Sequence, residues 1–200
     1  FLDQPRRGVR LLVIGTQFVG QARIGIDHDQ RVAQRRQRLD VRAQLLCAER
    51  LPQMADFSGY IVCAKSPSCG MERVRLVDEK GAQLGKVAVG LFTRELMQQY
   101  PWLPVEEDGR LFDPALKENF ICRVFSCYDY QQTMQDGFTV GKLVAFHSRY
   151  KFLVMAHSPT AYRELGRLVA QAKLFAPDEL AQRYLLDLMQ ALKQQATRKQ

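Results

Sequence analysis

The chain has 200 residues, enough for one medium domain or two small ones. Its formal net charge of +8 and pI near 9.4 point to a polyanionic partner, nucleic acid before an anionic membrane surface. No apolar run approaches the length of a membrane span, which predicts a soluble chain.

The five cysteines are Cys47, Cys63, Cys69, Cys122 and Cys127. Their number is odd, their spacing irregular, and no C-x-x-C pair occurs. This makes a poor disulfide framework, lacks zinc-site spacing and fits reduced thiols in a cytosol. The opening Phe1-Leu2-Asp3-Gln4-Pro5 does not resemble a signal peptide.

Residues 1–50 hold ten arginines and no lysine, whereas residues 51–200 hold ten arginines and nine lysines. Strands are predicted over Arg10–Gly20 and Ala22–Asp27. From Asp29 onward Val32, Leu39, Val41, Leu45 and Leu46 form a broken helical stripe that includes the region of Cys47. An arginine-rich, lysine-free stretch is what GC-rich DNA read in a shifted frame tends to give, so the first fifty residues are read as atypical of the rest.

Tyr60 to Ala64 is a short apolar run with the character of a buried strand, which places Cys63 in the core. It stops at Lys65-Ser66-Pro67-Ser68-Cys69-Gly70, where Pro67 restricts Ser66 and Gly70 relaxes the backbone. A thiol, two hydroxyls and a cation thus share one loop at a strand end. On residue types alone this is a polar turn with an incidental cysteine or a thiolate site that Lys65 favours. Glu72–Val77 and Gln83–Val89 predict a hairpin turning at Asp78–Gly81. Leu91–Tyr100 predicts a helix, capped by Gly90 or Thr93, whose N-terminus would favour an anion if it faced the Cys69 loop.

Trp102–Phe112 carries Pro104, the acidic triplet Glu106-Glu107-Asp108 and Gly109, and reads as a domain boundary beyond which strands cease. Asp113-Pro114 opens a helix to about Met134. Phe120, Val124, Cys127 and Tyr128 form its apolar stripe, widened by Ile121 and Phe125. Asn119, Arg123, Ser126 and Tyr130 form a polar row. Thr139–Ala156 is apolar nearly all round and predicts a central helix. Helices from Ser158-Pro159 to about Ala172 and from Ala176-Pro177 to about Gln194 complete a small bundle.

A second constellation of polar residues lies in this half. Lys142, His147, Arg149, Lys151 and His157 fall on the central helix, and Tyr162 and Arg163 on the next. Cations interleaved with rings suit RNA, because cations meet phosphates and rings stack on exposed bases. The plainer reading makes the histidines core residues and the cations a solvated face. Residues 112–200 have twelve basic and eight acidic side chains, a net +4.

The run Lys65-Ser-Pro-Ser-Cys-Gly-Met-Glu-Arg-Val74 resembles the signature of the TudS-type thiouracil desulfidase domain. Gly141–Lys151, Met155–Pro159 and Tyr162–Gly166 resemble the YbgA family domain. Together they are similar to fused desulfidases that remove sulfur from thiouridine in tRNA, over about residues 57–196. The resemblance implies an α/β N-terminal domain over residues 1–105 and an all-α, tRNA-binding helical bundle over residues 112–200. It implies a 4Fe-4S cluster on three cysteines with one open iron that takes the thiocarbonyl sulfur. Carried onto this chain, Cys69 is the metal ligand, Ser66 and Ser68 are the catalytic hydroxyls, and Lys65 and Arg73 join the RNA-binding residues above. The family's other two cysteine motifs have no counterpart here, so the implied activity is iron–sulfur-dependent tRNA desulfidation in the cytoplasm, absent if those ligands are lost. A non-enzymatic RNA-binding module and a thiol redox protein are the alternatives.

Overall fold

The computed structural model describes residues 11–13, 49–66, 68–72, 74–77 and 83–196. The readings made above for the remainder of residues 1–48, including the second strand, the helix from Asp29 and Cys47, lie outside the described residues, as do Pro67 and Arg73.

Three short strands pair in parallel: β1 (Leu11–Val13), β2 (Gly59–Val62) and β5 (Val105–Glu107), with β2 in the middle. The register sets Leu12 opposite Tyr60, and Tyr60 opposite Val105. β3 (Val74–Val77) and β4 (Gln83–Ala88) form the expected antiparallel hairpin. Next comes α1 (Leu91–Gln99), with Gly90 at the N-cap position.

β5 lies inside the segment 102–112 that reads as a domain boundary, where no strand is predicted. Side chains alternate across a strand, so the two adjacent glutamates leave on opposite faces. Glu107 shares the face of Tyr60 and Val62, and Glu106 turns toward the helices. Both carboxylates are buried, although two consecutive acids normally read as solvent-exposed.

Four helices follow: α2 (Pro114–Met134), α3 (Val140–His157), α4 (Pro159–Ala170) and α5 (Pro177–Lys193). The sequence signals for their starts are met in the geometry. Asp113 accepts from the Ala115 and Leu116 N–H groups, Thr139 from Lys142, and Ser158 from Ala161. Residues 114–193 are thus helical throughout, apart from short turns, and the chain as a whole is helix-rich.

Two apolar clusters hold the molecule. One joins Tyr60, Val62, Cys69, Leu96 and Val105 around the parallel sheet. The other joins Tyr130, Phe146, Leu165, Tyr184 and Leu188 inside the bundle. Trp102 packs against both.

Two expectations about helix faces are overturned. On α2 the expected apolar stripe is buried at Phe120, Val124 and Cys127, but Arg123, Ser126 and Tyr130 of the polar row are buried beside it, and Ile121 and Phe125, expected to widen the stripe, face out. Each polar group on that row has a partner, such as Tyr130 Oη on the Ala181 carbonyl at 2.8 Å, so it is buried without an orphan cost. α3 is not covered all round either. Val140, Val144, Phe152 and Met155 lie on its open side, with Phe152 61% exposed.

Candidate active site

The loop after β2 leaves the carboxyl end of the central parallel strand, the end at which α/β sheets hold ligands. Residues from three other segments pin it. Glu107 Oε1 accepts from the N–H groups of Met71 (2.8 Å) and Glu72 (3.1 Å). Asp108 Oδ1 accepts from Ala64 N–H at 3.0 Å. Thr93 Oγ1 donates to the Cys69 carbonyl at 2.6 Å, and Phe92 N–H to the Ser68 carbonyl at 2.9 Å. The N-terminus of α1 therefore does meet the loop, but Thr93 serves the cysteine rather than capping its own helix.

Within the loop, Ser66 makes the turn. Its Oγ accepts from Cys69 N–H at 3.3 Å and its carbonyl from Gly70 N–H at 2.8 Å. Lys65 sits at φ 63°, in the left-handed region that a non-glycine residue occupies at a cost of about 1 kcal/mol. Its side chain is exposed, whereas Ser68 is half-buried.

Cys69 is 5% exposed. Burial pushes its thiol pKa up, the Ser66 hydrogen bond works the other way, and the neighbouring Cys63 raises it further. The expectation that Lys65 favours a thiolate is corrected: burial outweighs the exposed ammonium, and the resting group is a thiol. Cys63 lies just past the end of β2, half-buried and near enough for its charge to be felt at Cys69, not deep in the core as its apolar neighbours suggested. Tyr60, in the same apolar cluster, is fully buried with its ring tilted against Phe92 at 5.9 Å, and its hydroxyl has no partner among the described residues. Burial first, and Cys69 second, hold that phenol in its protonated form.

A 4Fe-4S cluster with one open iron needs three thiolates. The described residues bring two thiols, Cys69 and Cys63, to this strand end. No group of three His, Cys, Asp or Glu side chains among the described residues is placed to hold a metal ion. Cys127 is sealed in the helical core, its pKa pushed up to about 12 by burial, and Cys122 lies a helical turn and a half before it on α2. The described residues therefore do not fit the cluster. What they do form is a hydrogen-bonded loop that holds a buried, neutral thiol in the same apolar cluster as Tyr60, whose phenol O–H has no partner among the described residues.

The second constellation divides. His147, Tyr162 and Arg163 come together with Gly166, Arg167 and Ala170 around a cavity of about 330 Å³ between α3 and α4. The others are held elsewhere. Arg149 pairs with Asp129 at 2.8 Å and lies over the Phe146 ring. Lys142 Nζ donates to the Gly137 carbonyl, Lys151 lies 5.1 Å over Phe152, and buried His157 bonds to the Gln194 carbonyl through Nδ1.

Sequence reasoning passed over Tyr60, Thr93, Glu106, Glu107 and Asp108. The run Val105-Glu106-Glu107 carries no period-two signal, since two acids follow one apolar residue, and it is pairing with β2 that makes it a buried strand.

A parallel sheet whose central strand ends in a pinned cysteine loop, followed by a helical segment, defines a class, and the comparisons agree with it. The family model described as 2-thiouracil desulfurase matches residues 2–108, and one described as a protein of unknown function (DUF1722) matches residues 151–200. The first covers more than half of the chain, and the chain belongs to the 2-thiouracil desulfurase family, here joined to a YbgA-type segment. The match from residue 2 overturns the restriction of the resemblance to about residues 57–196. The uncharacterized protein YbgA of Escherichia coli (strain K12) is 38% identical over 53 residues, which is 26% of this chain and 31% of that protein. The chain thus spans about a third of that relative. No solved structure matches, and no described helix is long and apolar enough to cross a membrane.

Proposed function

We propose that this chain recognises thiolated uracil in RNA, tRNA first, with residues 1–105 meeting the thiocarbonyl base and residues 112–200 holding the RNA. The observation that carries the reading is the Cys69 loop. Thr93, Glu107 and Asp108 fix its backbone at the carboxyl end of the central strand, and a thiol with an adjacent phenol suits a soft sulfur acceptor. Family membership supports sulfur chemistry on thiouracil, and the basic balance of residues 112–200 supports a polyanion.

The cluster-dependent turnover of the family is proposed to be absent from this chain, because the two further cysteine motifs that the family resemblance implies have no counterpart in the sequence. Ser66 and Ser68 are then proposed as hydrogen-bonding groups at the base rather than as partners in turnover. The test is anaerobic incubation with iron and sulfide, followed by assay of thiouridine in tRNA and by gel shift at graded salt. The expected result is retarded tRNA, weakening as salt rises, with thiouridine unchanged. Brown absorbance abolished by Cys69→Ala, together with loss of thiouridine, would overturn the proposed inactivity. Absence of any tRNA shift at low salt would overturn the RNA reading.

A further inference from the structure

The cavity between α3 and α4 has a chemical character of its own. Arg163 and Arg167 stand one turn apart on α4, both exposed, and neither pairs with a carboxylate among the described residues. No acidic side chain among the described residues lines the hollow. Tyr162 and His147 form its inner wall, both half-buried.

His147 can be assigned a tautomer. Its pKa is lowered, by burial first and by Lys151 second, so the ring is neutral at ordinary pH. Nδ1 lies 3.0 Å from the hydroxyl of Tyr184. Tyr184 is fully buried in a cluster of rings, its pKa is raised by burial, and it has no other acceptor among the described residues. Its O–H therefore donates to Nδ1, and the imidazole proton sits on Nε2. Gly166 borders that edge, where a Cβ would lie 4.0 Å from Nε2, an ordinary contact.

We propose that this hollow is a binding site for one nucleotide, its phosphate held by Arg163 and Arg167 and its base set against Tyr162 with Nε2–H of His147 as donor. Two arginines one turn apart bring two cations to one hollow, and each guanidinium can meet phosphate oxygens through its own pair of N–H donors. A tyrosine ring beside them offers a stacking face to a base. The hollow is shallow and open to solvent on one side, so a ligand can lie across it with part of its surface exposed. The choice of ligand rests on the nucleic-acid reading of the helical half. The nucleotide is either one unit of an RNA strand or a free monophosphate, and the two share this chemistry.

The test uses the full chain and follows amide NMR shifts during titration with uridine monophosphate, uridine, inorganic phosphate and a short single-stranded oligouridylate. The monophosphate is expected to shift Tyr162, Arg163 and Gly166 and to saturate, with uridine and phosphate each roughly tenfold weaker or more. Arg167→Ala and Tyr162→Leu are each expected to weaken the monophosphate by about tenfold. Unchanged binding in Arg163→Ala/Arg167→Ala, equal affinity for uridine and its monophosphate, or shifts away from α3 and α4 would overturn the site. Both arginines are exposed, so the double variant is expected to keep its melting temperature, and a loss of fold would point to a structural role and count against the proposal. Tighter binding of the oligomer assigns the site to a strand, and equal or weaker binding assigns it to a free nucleotide. The mononucleotide arm is independent of Cys69: retained binding in Cys69→Ala, even where tRNA itself fails to bind, keeps this site while removing the reading of the whole chain.

Discussion

Arg123 on α2 and Glu106 on β5 face each other at 3.7 Å, each side chain less than a tenth exposed. Glu106 also takes Arg110 at 2.7 Å, and Arg123 Nε donates to Asn119 Oδ1, whose amide reaches the Leu192 carbonyl. Burial lowers the guanidinium pKa of Arg123, and Glu106 works against that loss. This charged relay ties the parallel sheet to the helices. Removing one partner leaves a buried charge with half its compensation, whereas replacing both by apolar groups need not. Arg123→Met is expected to cost about 3 kcal/mol in urea unfolding, and the double variant Arg123→Met/Glu106→Leu to recover part of it. Equal stability of wild type and Arg123→Met would show that the pair contributes nothing.

Glu107 works on the other face of the same strand. One carboxylate oxygen accepts two backbone N–H groups, from Met71 and Glu72, and so sets the exit of the Cys69 loop. Glu107→Ala orphans both donors at once, a loss of about 2–3 kcal/mol. Hydrogen exchange should locate it: the Met71 and Glu72 amides lose protection while those of α2 to α5 keep theirs. Protection lost uniformly would mean that Glu107 acts on global stability and not on the loop.

Gly90 and Gly109 make a matched pair of tests. A Cβ at Gly90 would fall 2.5 Å from the Ser68 carbonyl carbon and 2.6 Å from Cys69 N, which are backbone atoms unable to move aside. At Gly109 the nearest atom would be Ala64 Cβ at 3.7 Å, an ordinary contact. Gly90→Ala is expected to displace the loop and cost about 2 kcal/mol or more, and Gly109→Ala to stay within about 0.5 kcal/mol. Thermal unfolding of the two variants side by side checks this, and equal melting points would remove the close approach of α1 to the loop from the account.

The parts of this molecule that were legible in the sequence are those specified locally. Asp113-Pro114, Thr139 and Ser158-Pro159 each start a helix where cap chemistry says, because a cap needs only its own next three residues. The Ser66–Gly70 turn was equally readable. What could not be read depends on distant partners. Arg123 and Glu106 look solvent-facing in their own segments, and only their pairing across the sheet–helix contact makes burial affordable. The covering of α3 failed for the same reason: how many neighbours a helix meets is not written in its own periodicity. At the Cys69 loop the cysteine and serines stood out by motif, but Thr93, Glu107 and Tyr60 are brought there by topology alone.

The pH dependence of stability should show a plateau. His147 has a lowered folded pKa, so its contribution is present above its ordinary 6.5 and lost as pH falls toward the folded value. Cys69 and Cys127 have raised folded pKa values, so their contribution is complete below the ordinary 9.0 and lost as pH rises beyond it. Urea midpoints should therefore be level between these limits and decline on both sides. In His147→Gln the acid-side decline just below pH 6.5 should shrink, and an unchanged profile would exclude His147 as its source. Alkylation by iodoacetamide at pH 8 should be slow at Cys69 and slower still at Cys127, since the thiolate is the reactive form.

Tyr60 gives the sharpest test of what the loop is for. Its hydroxyl is buried without a partner among the described residues, a state that costs roughly 1–3 kcal/mol relative to a bonded one. Tyr60→Phe removes the oxygen and leaves the ring against Phe57 and Phe92 intact. In the ligand-free chain that variant should melt higher, by a stability gain of about 1 kcal/mol. A hydroxyl retained for a ligand at Cys69 should also matter for binding, so the same variant should bind thiouracil more weakly than the wild type does. A lower melting point would mean that the phenol has a partner in the resting protein. A higher melting point with undiminished thiouracil binding would mean that the orphan hydroxyl does not serve the sulfur, and the ligand contact would pass to Ser66 and Cys69 alone.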